Sequence, residues 1–168
     1  GLSYEEIAKR GGGILNSAKK LAEVSEEELL QSALIRLNEI MDTGTGAVEI
    51  KSGYGLSLSA ELKILRVIKK LKSLSPLTIK STFLGAHAVP AGVTKEKYID
   101  IIINEMLPQI AEEKLADYCD VFCENNYFTK EDTIKILTAA NKLGIKGKVH
   151  AEQLSHSGGT EAGVTCKA

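Results

Sequence analysis

The chain has 168 residues, the length of a single globular domain, and its 26% charged, 43% hydrophobic composition excludes wholesale disorder. Lys+Arg 21 against Asp+Glu 22 gives a formal net charge of −1, which argues against nucleic acid as the main partner because phosphate binding needs a clustered basic excess.

The start, Gly1-Leu2-Ser3-Tyr4, shows no basic-then-apolar leader pattern. Ser3-Tyr4-Glu5-Glu6 has the spacing of a capping box and predicts an early helix, which Gly11-Gly12-Gly13 stops. From there a short β-rich run, a polar loop and an amphipathic helix recur four times. The first helix of this series begins at the capping box Ser25-Glu26-Glu27-Glu28 and carries Leu30, Leu34, Leu37 and Met41 at helical spacing, with Gly44 and Gly46 ending it. Ala47–Lys51 reads as a strand and Ser52-Gly53-Tyr54-Gly55 as a loop. A helix holding Leu62, Leu65, Ile68 and Leu71 follows and closes at Pro76. Leu77–Leu84 is the second strand, running into Gly85-Ala86-His87.

Thr94 caps the next helix, which a kink at Pro108 should interrupt. Its Ile101-Ile102-Ile103 run is far short of the roughly 18 apolar residues of a membrane span, so no membrane association is expected. Tyr118–Cys123 is the third strand. Cys119 and Cys123 share a face with Val121 and read as buried small hydrophobes. Three cysteines is an odd number in a chain too large to need staples, so reduced thiols and a cytoplasmic location are expected. Thr129 caps a helix that Gly144 terminates; Gly147–His150 is the fourth strand; and a further helix is expected from Ser155 onward.

Strands alternating with helices predict an α/β fold with a parallel sheet. The rhythm suits either a doubly wound sheet or a barrel. Four units without a natural start or stop point to the latter: part of a TIM (β/α)8 barrel, with residues 1–168 forming a partial barrel catalytic domain that lacks its N-terminal and C-terminal portions.

Reactive groups in such folds gather just beyond the carboxyl ends of the strands. Those places hold Tyr54, His87, Glu124 and the run His150-Ala151-Glu152-Gln153. His150 ends an apolar strand, where its imidazole is either a ligand for a metal ion or a hydrogen-bonded core histidine. His156 is taken as an ordinary helix-start residue. His87 follows two small residues and either donates to a substrate oxygen or sits in a plain loop. Tyr54, between Gly53 and Gly55, either projects its hydroxyl into a pocket or belongs to a simple turn. Glu124 either orients polar groups at its strand end or is a solvated loop carboxylate.

Five stretches bear a resemblance: Tyr4–Ala8 with Gly11–Ile14, Val48–Leu56, Thr82–Pro90, Asp120–Glu124, and Val149–Ser155 with Gly158-Gly159. In their order and spacing the chain resembles the imidazolonepropionases, amidohydrolase-superfamily enzymes of histidine degradation. The resemblance implies hydrolysis of the cyclic amide of 4-imidazolone-5-propanoate to N-formimidoyl-L-glutamate at one catalytic metal ion, zinc or iron. Carried over by position, His150 is a metal ligand, Tyr54 and His87 contact the substrate, and Gln153 binds substrate beside the metal. His87 and Gln153 are the candidate catalytic residues. Some relatives have glutamate where Gln153 stands. An amide cannot act as general base, so that role must lie elsewhere. The family's His-x-His pair, aspartate ligand, further histidine and substrate-binding arginine are not matched in this chain. The partner implied is thus a small molecule, and the full-length protein is expected as a possible homodimer. Two alternatives stand beside this reading: another cyclic amidase or deaminase of the superfamily, and a non-catalytic half-barrel whose open edges favour dimerisation.

Overall fold

The structure, a computed structural model, describes residues 14–168. The expected helix at Ser3–Glu6, the glycine triplet and the Tyr4–Ala8 stretch lie outside the described residues. Helix α1 spans Ile14–Glu23 and α2 Glu26–Asp42, followed by strand β1, Ala47–Lys51. Helix α3, Leu58–Leu74, leads to β2, Thr78–Ala86. Helix α4, Lys95–Ile101, passes through a π-helical turn, Ile102–Met106, into α5, Leu107–Glu112. Then come β3, Tyr118–Cys123; α6, Lys130–Lys142; β4, Lys146–Ala151; and α7, Gly159–Cys166. The four strands form one parallel sheet in the order β1-β2-β3-β4.

The capping signals act as read. Ser25 and Glu28 close a complete capping box on α2, and Thr129 with Asp132 does the same for α6. Thr94 caps α4, and Gly144, at φ +78, takes the left-handed position that ends α6. Three expectations need correction. Helix α1 forms in a stretch given no element, and its exposed carbonyls are met from a distance, the Lys63 ammonium donating to Leu21 and Val24 at 2.8 and 2.7 Å. Helix α7 begins at Gly159, not Ser155, because residues 153–157 are held in a loop by Glu124 and by Ser157 donating to the Cys123 carbonyl. The kink expected at Pro108 takes the form of the π turn just before it, which absorbs the missing N–H and the ring's bulk.

Alternation along the strands separates two faces. Val48, Ile50, Ile79, Phe83, Cys119, Val121 and Val149 turn towards the helices, where α3, α6 and the π turn complete a core including Leu65, Ile68, Met106, Ile136 and Leu137. Cys119, Val121 and Cys123 are fully buried and the cysteines are free thiols, as the strand pattern implied. The opposite face is polar. Glu49, Lys51, Thr82, Asp120, Lys148 and His150 meet there in a connected set of contacts.

One irregularity decides what reaches that face. The β2–β3 register pairs Phe83 with Cys119 but Ala86 with Val121, so β2 carries one residue more than its partner. A one-residue bulge reverses the alternation beyond it. Without it His87 would share the helix-facing parity of Phe83; with it Ala86 enters the core and His87 turns to the polar face. Gly85 makes the bulge possible, since an added Cβ would lie 2.3 Å from the Phe83 ring. The Gly85 carbonyl in turn accepts from the buried Tyr98 hydroxyl at 3.0 Å.

Candidate active site

Three of the four candidate residues converge at the carboxyl ends of the strands around Phe122. The Tyr54 and His87 rings meet edge to face at 5.3 Å, His87 and Phe122 at 6.0 Å, and Phe122 and His150 at 6.3 Å. Tyr127 closes the other side of Phe122 at 4.8 Å. Phe122 is 4% exposed, whereas Tyr54 is 41% exposed with its ring at the rim. Gln153 does not join this array: its side chain is exposed.

Tyr54 is placed by Glu61, which no motif in the sequence singled out. This carboxylate is buried at the start of α3 and accepts the backbone N–H groups of Gly53, Gly55 and Leu56 at 3.0, 2.6 and 3.1 Å. Burial raises its pKa above the ordinary carboxylate value, more than the hydrogen bonds from Ser52, Gly55 and Gly53 lower it. The loop is so close to α3 that a Cβ on Gly55 would lie 2.5 Å from the Glu61 backbone nitrogen. The available signal was a charged residue inside the apolar stripe of Leu58, Leu62 and Leu65.

His87 follows from the same loop. Its Nδ1 lies 3.3 Å from the Gly53 carbonyl oxygen. A carbonyl only accepts, so this contact puts the proton on Nδ1 and leaves Nε2 an acceptor in the neutral ring. Burial lowers the His87 pKa, the Gly53 carbonyl opposes that, and the neighbouring His150 lowers it further. The net shift is downward, which favours the neutral ring.

His150 stands on β4 opposite Phe122 of β3. Its Nδ1 is buried 2.9 Å from Oδ2 of Asp120, which is itself 2% exposed. The same oxygen accepts from the Lys51 ammonium at 2.9 Å. Lys51 and Lys148 both donate to Glu49, at 2.9 and 2.8 Å, and the Thr82 hydroxyl donates to it as well. Burial opposes ionisation of Glu49, but the hydrogen bonds from Lys148, Thr82 and Lys51 outweigh it and bring its pKa down to about 2. Burial also opposes the charge on Lys51, which Asp120 and Glu49 more than restore. A cleft of about 500 Å³ opens beside this cluster, lined by Lys51, Asp120, His150 and, from α7, Gly159 and Thr160.

Beyond β4 two carboxylates fix the loop that carries Gln153. Glu124 is buried, not solvated, and accepts from the Leu154 N–H and the Ser155 hydroxyl, each at 2.8 Å. Burial raises its pKa, but those contacts outweigh it and the net shift is downward. Glu152, at φ +50, turns back to accept the Gly159 N–H at 2.9 Å and contacts of Thr160, capping α7 where Gly158 offers no side chain. His156 is exposed in the loop before α7.

A metal ion fits His150 in one respect. An imidazole with one nitrogen against a buried carboxylate has its other nitrogen left for ligation. Among the described residues no three His, Cys, Asp or Glu side chains converge as a complete site. No helix among the described residues is long and apolar enough to cross a membrane.

No protein-family model matches the chain. Individual relatives match it nearly end to end. It is 60% identical over 166 residues to an imidazolonepropionase of Flavobacterium johnsoniae, covering 98% of this chain. Identity is 56% over 166 residues to the imidazolonepropionase of Christiangramia forsetii, and 48% over 167 residues to that of Caldanaerobacter subterraneus subsp. tengcongensis. In each case the chain spans 40% of the relative's length.

Proposed function

We propose that this chain is part of an imidazolonepropionase, a hydrolase acting on carbon–nitrogen bonds in cyclic amides, and that the whole protein opens 4-imidazolone-5-propanoate to N-formimidoyl-L-glutamate in histidine degradation. The observation that carries this reading is the convergence of Tyr54, His87 and His150 around Phe122 at one end of a parallel sheet, in a chain 60% identical to a protein of that name. The four βα units are read as half of a (β/α)8 barrel of the amidohydrolase type, with the polar sheet face lining its interior. A cytoplasmic, homodimeric enzyme with one zinc or iron ion and a small-molecule substrate completes the proposal.

His150 is the residue of this chain that would hold the metal. The chemistry supplied by such an ion, when bound, is Lewis-acid polarisation of an amide carbonyl and a lowered pKa for water. The chain's own groups bind and orient. Neutral His87 presents Nε2 as an acceptor towards a substrate N–H. Tyr54, half-exposed at the rim, offers its hydroxyl to the flat polar ring or the propanoate. Gln153 reaches substrate as an amide donor and acceptor and carries no proton; the general base belongs to another residue. Phe122 and Tyr127 form an apolar wall that strengthens these hydrogen bonds by excluding water.

The test uses the full-length protein loaded with zinc or iron and incubated with 4-imidazolone-5-propanoate. Loss of the imidazolone with formation of N-formimidoyl-L-glutamate is expected. Unchanged substrate, with turnover of another cyclic amide or an amino-heterocycle, would move the assignment elsewhere in the superfamily.

A further inference from the structure

We propose that Asp120 is a positioning residue, its buried carboxylate fixing the His150 imidazole from the Nδ1 side so that Nε2 is presented to the metal ion, with Lys51 clamping that carboxylate in place. This rests on the reading of His150 as a metal ligand.

Asp120 is approached from both sides by other strands. Lys51 comes from β1 and His150 from β4, each 2.9 Å from Oδ2. Among the described residues, the buried side-chain polar atoms without a hydrogen-bond partner are Asp120 Oδ1 and His150 Nδ1. They belong to neighbouring groups already at contact distance, and the shortfall is one of alignment. A small rotation of the imidazole brings an Nδ1–H into line with the carboxylate. Ligation at Nε2 restricts that same rotation, so each interaction orders the ring for the other. Metal-bound histidines commonly donate their second N–H to a carboxylate, which fixes the tautomer and raises the basicity of the ligating nitrogen.

Lys51 accounts for the carboxylate being there. A buried carboxylate without a cation is strongly disfavoured, and Lys51 supplies the charge while Glu49, which also accepts from Lys148, holds Lys51 in register. A plain Lys51–Asp120 ion pair would account for Oδ2, but it leaves the buried Nδ1 beside it without purpose.

The experiment uses the full-length protein in its apo form. Zinc affinity is measured by competition with a chromophoric chelator, and the cobalt(II)-substituted protein gives an absorption spectrum that reports the ligand field. Asp120→Asn keeps the size of the side chain and removes its charge. We expect its zinc affinity to fall about 10–100-fold and its cobalt bands to shift, neither of which a purely structural ion pair would produce in a folded protein. His150→Ala, run alongside, should lose the ion. If His150→Ala loses zinc while Asp120→Asn binds it with parental affinity and an unchanged cobalt spectrum, the positioning role is overturned and the ligand reading stands. Full zinc binding by His150→Ala overturns both. If Asp120→Asn does not fold, Asp120→Glu keeps the charge and moves the carboxylate by one methylene, with the same two outcomes deciding.

Discussion

His150 and Gln153 lie three residues apart, yet they meet different surroundings. His150 stands in a strand with its Nδ1 against Asp120, whereas Gln153 is exposed on a loop that Glu124 pins by its backbone. In the full-length protein, His150→Ala should therefore remove both metal and turnover. Gln153→Ala should keep the metal and weaken substrate handling. Elemental analysis of the two purified variants checks the assignment: full metal content in His150→Ala, or metal loss in Gln153→Ala, would reverse it. Glu49 gives a second prediction. Its folded pKa of about 2 lies below the ordinary 4.5, so its ionised form stabilises the fold above pH 4.5, and that contribution fades as pH falls towards 2. The Glu49 side chain is 29% exposed, so solvent screening limits the effect, and Glu49→Gln should cost on the order of 1–2 kcal/mol at neutral pH. Urea denaturation at pH 7 and pH 3 should show the gap between the two proteins narrowing on acidification; a gap independent of pH would contradict the ion-pair account. The places of Tyr54, His87 and His150 near the strand ends were legible in the sequence because the strands and their loops are well marked. Asp120 and Glu61 were not. Their importance comes from partners 69 and 8 positions away, and nothing in a strand reading of Tyr118–Cys123 says that a middle aspartate is buried under a histidine from another strand.

At the scale of elements, glycine and carboxylate anchors place the site. The bulge in β2 delivers His87 to the polar face only while Gly85 leaves room for the Phe83 ring. Gly85→Ala forces that ring aside, and overpacking of this kind costs about 1–3 kcal/mol. Because His87 moves with the bulge, the full-length variant should also show a raised KM. A variant destabilised with KM unchanged would show that His87 is placed independently of the bulge. Glu61→Leu is the corresponding change in the Tyr54 loop. It deprives three backbone N–H groups of their acceptor, each such loss being worth about 1–3 kcal/mol where water cannot substitute. Chemical denaturation should register a loss of about 3 kcal/mol or more, and a near-neutral result would mean that the loop is solvated. The four strands and the capped helices were readable because period-2 and helical patterns end at strong punctuation: Ser25, Gly44, Pro76, Thr94, Thr129 and Gly144. The elements misread lack such marks. Helix α1 is closed by Lys63 from 39 to 42 positions away, the start of α7 is set by Glu152 in place of a capping side chain, and the β2 bulge appears in no periodicity because it exists only relative to β3.

At the scale of the molecule, β1 and β4 each pair with one neighbour in the four-stranded sheet. The polar face between them carries Glu49, Lys51, Asp120, Lys148 and His150. Such a face is hydrated where water reaches it, and in the proposed barrel it would line a polar interior while the further strands close both edges. The parallel α/β character was legible from the alternation of elements, since parallel strands need helical crossovers. Closure of the proposed barrel would depend on strands beyond these four, which the periodicity of this chain does not describe. The same geometry sets the limit on what this chain does alone. A catalytic zinc site ordinarily uses three protein ligands, and among the described residues no three His, Cys, Asp or Glu side chains converge on one, the proposed ligand His150 having only Asp120 beside it. The isolated 168-residue chain is therefore expected to bind no stoichiometric zinc after dialysis and to leave 4-imidazolone-5-propanoate unhydrolysed, while the full-length protein prepared in parallel does both. Sedimentation of the isolated chain belongs to the same experiment, because β1 and β4, each paired with one strand among the described residues, offer edges on which two copies can associate. A cooperative dimer that held zinc and turned over substrate would show that these four βα units assemble a working site by themselves, against the reading of the chain as one part of a larger catalytic barrel.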